Sequence, residues 1–159
     1  MMAQDWIFQT PECLCSLRTA GVLIQNGKLL VQRNKDQSEY ALPGGHVKMG
    51  ETTVHSLVRE YKEETGADIR CGKLLWTEEC FWVWRGLPAH TITFYYLIEL
   101  CKPSAIPDDG TFIPHNDNHN VLIGWMPIAE LPQITIYPKF IQNEIHNLGN
   151  APTHFISAD

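Results

Sequence analysis

The sequence predicts an α+β fold, a mixed β-sheet sandwiched between α-helices, on three observations. Apolar runs of strand length recur along the chain and are separated by turn signals of the hairpin kind. Two segments, 53–65 and 138–148, instead repeat apolar residues at helical spacing. The strands follow one another through hairpins rather than through regular strand–helix–strand units, which argues against an all-parallel sheet. The chain has 159 residues, 44% hydrophobic and 19% charged. That is ordinary composition for one globular domain able to bury a core without staples.

Residues 1–16 are mixed in character and read as a peripheral segment ahead of a domain over 17–150. Residues 19–33 contain two apolar runs around Asn26-Gly27, the pair favoured in a two-residue type I′ turn because both positions tolerate positive φ. They predict a hairpin. Residues 34–40 are polar and read as a loop, and Leu42-Pro43-Gly44-Gly45 interrupts any regular element. Over 53–65, Val54, Leu57, Val58 and Tyr61 form one apolar stripe. Thr52 or Thr53 can cap the start of that helix, and Gly66 suits a left-handed C-terminal position. Residues 72–84 and 90–100 read as strands joined across Arg85–Pro88. The second alternates Ile92, Phe94, Tyr96, Ile98 and Leu100 with a half-apolar opposite face, so both faces are expected to be covered. Residues 102–120 hold three prolines and read as a long functional loop. Val121–Trp125 is a short strand. Residues 138–148 form a second helix, with Pro138 at its start, Ile141, Ile145 and Leu148 on one stripe, and Gly149 after it. Residues 151–159 are a tail.

Composition narrows the function classes. No apolar run approaches the ~20 residues of a membrane span, and the N-terminus lacks the pattern of a secretory signal. The five cysteines, with no CxxC pair, suit reduced thiols in a cytoplasmic protein rather than a disulfide framework or zinc ribbon. A net charge of -6 disfavours nonspecific binding to duplex nucleic acid. An anionic substrate stays compatible with it if a bound cation offsets the charge.

The chemistry concentrates in GHVKMGETTVHSLVREYKEETGA, residues 45–67. Glu60, Glu63 and Glu64 lie at i, i+3, i+4 on a helix face away from the apolar stripe. Like charges so placed repel, and hard divalent ions that prefer oxygen ligands, Mg²⁺ or Mn²⁺, relieve the repulsion. Three glutamates alone read far more readily as a solvated helix face; their surroundings decide otherwise. Gly45, Glu51, Arg59, Glu60, Glu63, Glu64 and Gly66 match GX5EX7REUXEEXGU, where U is bulky and apolar. At ordinary residue usage seven such positions coincide by chance on the order of once in a million chains or more rarely.

On these residues the sequence resembles the Nudix hydrolase family, in particular its MutT-like members. Tyr61 and Ala67 replace the usual aliphatics at the U positions, and both can still pack. The hairpin, the Leu-Pro-Gly-Gly lead-in and the segment Trp125-Met126-Pro127 to Glu130-Leu131 also look like the family, so the likeness spans roughly residues 17–148. It implies a metal-dependent pyrophosphohydrolase acting on a nucleoside diphosphate linked to another moiety. Glu60, Glu63, Glu64 and the Gly45 carbonyl would hold Mg²⁺, with Mn²⁺ as a substitute. Glu60 and Glu64 are the candidates for the general base, and Arg59, paired with Glu51, orients the carboxylates. Gly44, Gly45 and Gly50 permit tight, left-handed backbone and close approach of a phosphate. Arg33 matches a basic position that can face substrate. Asp117 is the first candidate for a further acidic ligand, ahead of Asn118 and His119, with Glu78 and Glu79 as rivals. Many small relatives are homodimers.

Trp76, Phe81, Trp82, Trp84, Tyr95, Tyr96 and Trp125 crowd the region after the helix. Because 81–84 run consecutively, alternation should turn at least one away from the core, where it could stack a base. In the family it resembles, a proline about fifteen residues beyond the signature goes with ADP-ribose and a tyrosine at a similar distance with dinucleoside polyphosphates; neither stands there in this sequence, so the resemblance implies nucleoside triphosphates or nucleotide sugars. The alternative reading is a Nudix-fold nucleotide-binding or sensor module without turnover; the complete set of helix glutamates favours the enzyme. A prenyl-diphosphate isomerase on a related fold is a third reading that nothing in the sequence requires.

Overall fold

The computed structural model describes residues 3–158; residues 1, 2 and 159 of the expected terminal segments lie outside that range. The strands are β1 (Ile7–Gln9), β2 (Leu14–Gln25), β3 (Lys28–Asn34), β4 (Tyr40–Ala41), β5 (Gly44–His46), β6 (Ile69–Trp84), β7 (Leu87–Leu100), β8 (Ile113–Pro114), β9 (Val121–Pro127), β10 (Ile136–Tyr137) and β11 (Thr153–Ala158). Helix α1 spans Thr53–Thr65 and α2 spans Ile141–Glu144, with two 3₁₀ turns between them. The sheet runs β10-β4-β3-β2-β7-β6-β11. It is mixed: β2–β7 and β6–β11 are parallel, while β2–β3, β2–β5, β6–β7 and β3–β9 are antiparallel.

Alternation along β2 and β3 separates two cores. Val22, Leu29 and Val31 belong to one cluster, with Leu131, Ile141 and Ile145. Leu23 and Leu30 belong to the other, with Leu57 and Tyr61 of α1. Successive strand residues point to opposite faces, so α1 covers one face and the 3₁₀ turn at Leu131 with α2 covers the other. This is the expected sandwich, and each large side chain so buried contributes about 1.5–3 kcal/mol.

Asn26 and Gly27 both take positive φ, as the hairpin reading requires, and Arg85 and Gly86 repeat the geometry between β6 and β7. That second tight turn lets β7 begin at Leu87 rather than residue 90. The second helix is much shorter than residues 138–148. Its end tightens into Asn147 N–H to Glu144 C=O and His146 N–H to Asn143 C=O bonds. Asn143, His146 and Asn147 are weak helix formers, and the Lys73 ammonium holds the carbonyls of Leu148 and Gly149. The loop 102–120 contains a 3₁₀ turn at Pro103–Ala105 and the two-residue β8. The terminal segments take part in the sheet: β1 pairs with β2, and β11 pairs with β6. No helix of the described residues is long and apolar enough to cross a membrane.

Candidate active site

Helix α1 is built to present its polar edge. Thr52 Oγ1 accepts from the His55 N–H at 3.1 Å, and Gly66 closes the helix at φ 73° with its N–H on the Lys62 carbonyl. With both ends fixed and Leu57 and Tyr61 fully buried, residues 59, 60, 63 and 64 face β5 and the loop ahead of β9. Asn116 N–H bonds the Glu64 carbonyl at 2.8 Å, which docks that loop on the end of the helix.

The result is an open cavity of about 410 Å³ lined by Gly44, Gly45, Arg59, Glu60, Glu63, Glu64, Asp117 and Asn118, with Arg18, Gln32 and His115. The three helix glutamates are not equivalent. Glu63 has 45% of its side chain exposed, Glu60 13% and Glu64 9%. Arg59 ties the group together. It makes a two-pronged pair with Glu51 (Nε–Oε1 2.8 Å, Nη2–Oε2 3.0 Å) and reaches Glu60 Oε1 at 2.7 Å and Glu63 Oε2 at 3.0 Å. Those contacts, Glu51 first, raise the Arg59 pKa and lower that of Glu51. Burial outweighs Arg59 at Glu60 and raises its pKa. Burial, then the charges of Glu60 and Asp117, push Glu64 up to about 8. Glu64 Oε2 is buried with no hydrogen-bond partner. His115 Nδ1 lies 3.8 Å from Glu64 and 3.9 Å from Asp117, and burial lowers its pKa, so the imidazole is neutral at pH 7.

Among the described residues, no three His, Cys, Asp or Glu side chains stand ready as a metal cage, since Arg59 draws Glu60 and Glu63 to itself. The donor set nevertheless suits Mg²⁺ or Mn²⁺. It is all carboxylate oxygen, and one of those oxygens is a buried acceptor without a donor.

The structure relocates several sequence candidates. Gly44 and Gly45 are not left-handed; they run extended in β5. A Cβ at Gly44 would strike the Thr19 carbonyl, and one at Gly45 would fall on the Glu60 carboxylate. Only Gly50 takes the positive φ expected of the loop. Arg33 does not face the carboxylates: its Nη1 donates to the carbonyls of Asn34, Lys35 and Gln37. Arg18, one strand over and unremarked in the sequence, lines the cavity instead. Glu78 and Glu79 point to opposite sides of β6, and neither lines this cavity. Glu78 is buried beneath a second cavity, and Glu79 meets His90 and His154. His119 is exposed and outside the cavity. Gln32, His46 and His115 were missed as well; strand position and loop docking bring them in, and no local spacing signals it.

Residues 16–145 match the NUDIX domain family profile. The chain belongs to the Nudix family. A MutT-like protein of Streptomyces ambofaciens is 34% identical over 121 residues, covering 76% of this chain and 69% of that one. A Mycobacterium tuberculosis protein bearing the mutator name MutT4 is 29% identical over 98 residues, 62% of this chain and 36% of its own length. This chain thus spans little more than a third of that relative. The crystal structure of a Streptococcus suis ADP-ribose pyrophosphatase superposes with a TM-score of 0.59 at 19% identity, over 88% of this chain and 98% of that one.

Proposed function

We propose that the protein is a divalent-cation-dependent pyrophosphohydrolase. Its substrate is a nucleoside diphosphate linked to a further group, a nucleoside triphosphate or a nucleotide sugar, cleaved by water attack on phosphorus. The observation that carries this reading is Glu64, a buried carboxylate with an oxygen lacking any donor, beside a half-neutralised Glu60 in an open cavity. Glu60, Glu63, Glu64 and the Gly45 carbonyl would hold Mg²⁺, or Mn²⁺ in its place. When bound, the cation supplies positive charge against the phosphates and against the charge developing on attacking and leaving oxygens.

The chain's own residues do the rest. Arg59 restrains Glu60 and Glu63, and Glu51 restrains Arg59. Glu60 and Glu64 are the two candidates for the base that takes the proton of the attacking water. Gly44 and Gly45 let β5 close on β2 and on the Glu60 carboxylate, Asp117 supplies a further acidic group at the rim, and Arg18 offers a cation beside the phosphates. Arg33 shapes the neighbouring loop. We place the enzyme in the cytoplasm, in keeping with five cysteines that form no disulfide.

The deciding experiment is turnover of a panel of nucleoside triphosphates and nucleotide sugars with Mg²⁺, with Mn²⁺ and with excess EDTA. Hydrolysis that requires the cation is expected; full activity in EDTA overturns the mechanism.

A further inference from the structure

Strands β6 and β7 outrun the helix that covers them. At ~3.3 Å per residue the 16 residues of β6 extend over about 50 Å. The 13 residues of α1 reach only about 20 Å. Leu23 of β2 and Ile98 of β7 are cross-strand partners in the core beneath α1. Six residues back on each strand stand Leu17 and Ile92, again partners. An even offset keeps them on the same face, about 20 Å along from the helix-covered pair. There the face lies open to solvent.

This open face crosses five strands. Its central row runs Trp6, Leu17, Ile92, Glu79, Ile156, each beside the next on the neighbouring segment of the sheet. The next row carries Phe8, His90 and Phe81, and Val83 follows two residues beyond Phe81. Among the described residues seven large apolar side chains are exposed, and all but Met49 stand here, from Ile92 at 38% to Ile156 at 71%. At ~100 Å² of accessible surface each they form a patch of about 600 Å², the size that marks an interaction surface.

Charge selects what covers it. The whole chain carries a net charge of -6. On these rows there is no Lys or Arg, and the one carboxylate is already shared. Glu79 Oε2 lies 3.1 Å from His154 Nε2, and its Oε1 lies 3.6 Å from His90 Nε2. The His90 ring in turn stacks on Phe81 with centroids 4.3 Å apart. A strongly acidic or basic partner finds nothing here to pair with. A second copy of the chain finds an apolar surface like its own, free of the repulsion that its acidic remainder sets up. Two such faces together remove ~1,200 Å² from water, within the range of stable interfaces.

We propose that this face is a homodimer interface, the sheet of one copy packing on the same sheet of a second copy about a two-fold axis. Self-association is independent of the hydrolase reading.

Sedimentation equilibrium of the full chain tests it. A dimer with a Kd at or below about 10 µM is expected. Ile92→Glu and Ile156→Glu each put a charge within the face, and symmetry buries it twice, so Kd should rise about a hundredfold or more. Met49→Glu, at an exposed apolar position off the face, should leave Kd within about threefold. Thermal unfolding checks that each variant folds. Oxidative footprinting of the unaltered chain needs no variant: Trp6 and Phe81 should lose reactivity as concentration rises through Kd, while Met49 keeps it. A chain still monomeric at about 100 µM overturns the proposal, including one that binds phosphatidylcholine vesicles through this face. So does a dimer that either folded substitution, at 92 or at 156, leaves intact, one that Met49→Glu dissociates as strongly, or one that leaves Trp6 and Phe81 fully reactive.

Discussion

Glu63 and Glu64 are neighbours in the chain but not in environment. Glu63 reaches Arg59 from the rim, and Glu64 turns under the loop that carries His115 and Asp117. Replacing either with Gln keeps size and removes charge, and kcat on a confirmed substrate should fall by roughly 10²-fold or more. Metal-free stability should hold or rise, because like-charge repulsion is relieved; thermal unfolding in EDTA measures it. Wild-type turnover in both variants would leave the helix edge a mere solvated face. Glu64 also predicts a pH dependence. Its pKa rises from 4.5 in the open chain to about 8 when folded. Between those values the unfolded chain has lost a proton that the native state keeps. Stability of the metal-free protein should therefore decline as pH rises through that window and level off above it. The decline should be shallower in Glu64→Gln, as denaturant midpoints at successive pH values will reveal.

Strand β5 and helix α1 meet through two glycines with different neighbours. Gly44 packs on the backbone of β2, which cannot give way, so Gly44→Ala should destabilise by about 1–3 kcal/mol through overpacking. Gly45 packs on the end of the Glu60 side chain, which can move. Gly45→Ala should leave the urea midpoint nearly unchanged while lowering kcat, because Glu60 is pushed off its position. The caps of α1 were legible beforehand: Thr52 and Gly66 flank the apolar stripe, and local hydrogen bonding needs nothing else. The second helix was not. Ile141 and Ile145 do bury at helical spacing, but polar residues between and after them leave only one regular turn, and that weakness shows only when the chain must turn toward β11.

For the molecule as a whole, a bound cation should couple to folding. Mg²⁺ or Mn²⁺ that binds only the native state stabilises it by RT ln(1 + [L]/Kd), so at a hundred times Kd the gain is about 2.7 kcal/mol. The unfolding temperature should rise with either ion and fall back with EDTA. An unchanged midpoint at saturating concentrations would remove the cation from this site. The helix glutamates, their arginine, the Asn26-Gly27 hairpin and the α+β class were open to reading in the sequence because each rests on spacing along one element. Positions 60, 63 and 64 share a helix edge in any fold that forms the helix. Where strands meet in space is a different matter. Arg18 replaces Arg33 beside the carboxylates because β5 pairs with β2 and not with β3. Glu78 leaves the metal question because β6 turns it under Tyr95, and Ser157 reaches it from 79 residues away. Long-range pairing brings such residues together, and sequence periodicity carries only the local part of that geometry.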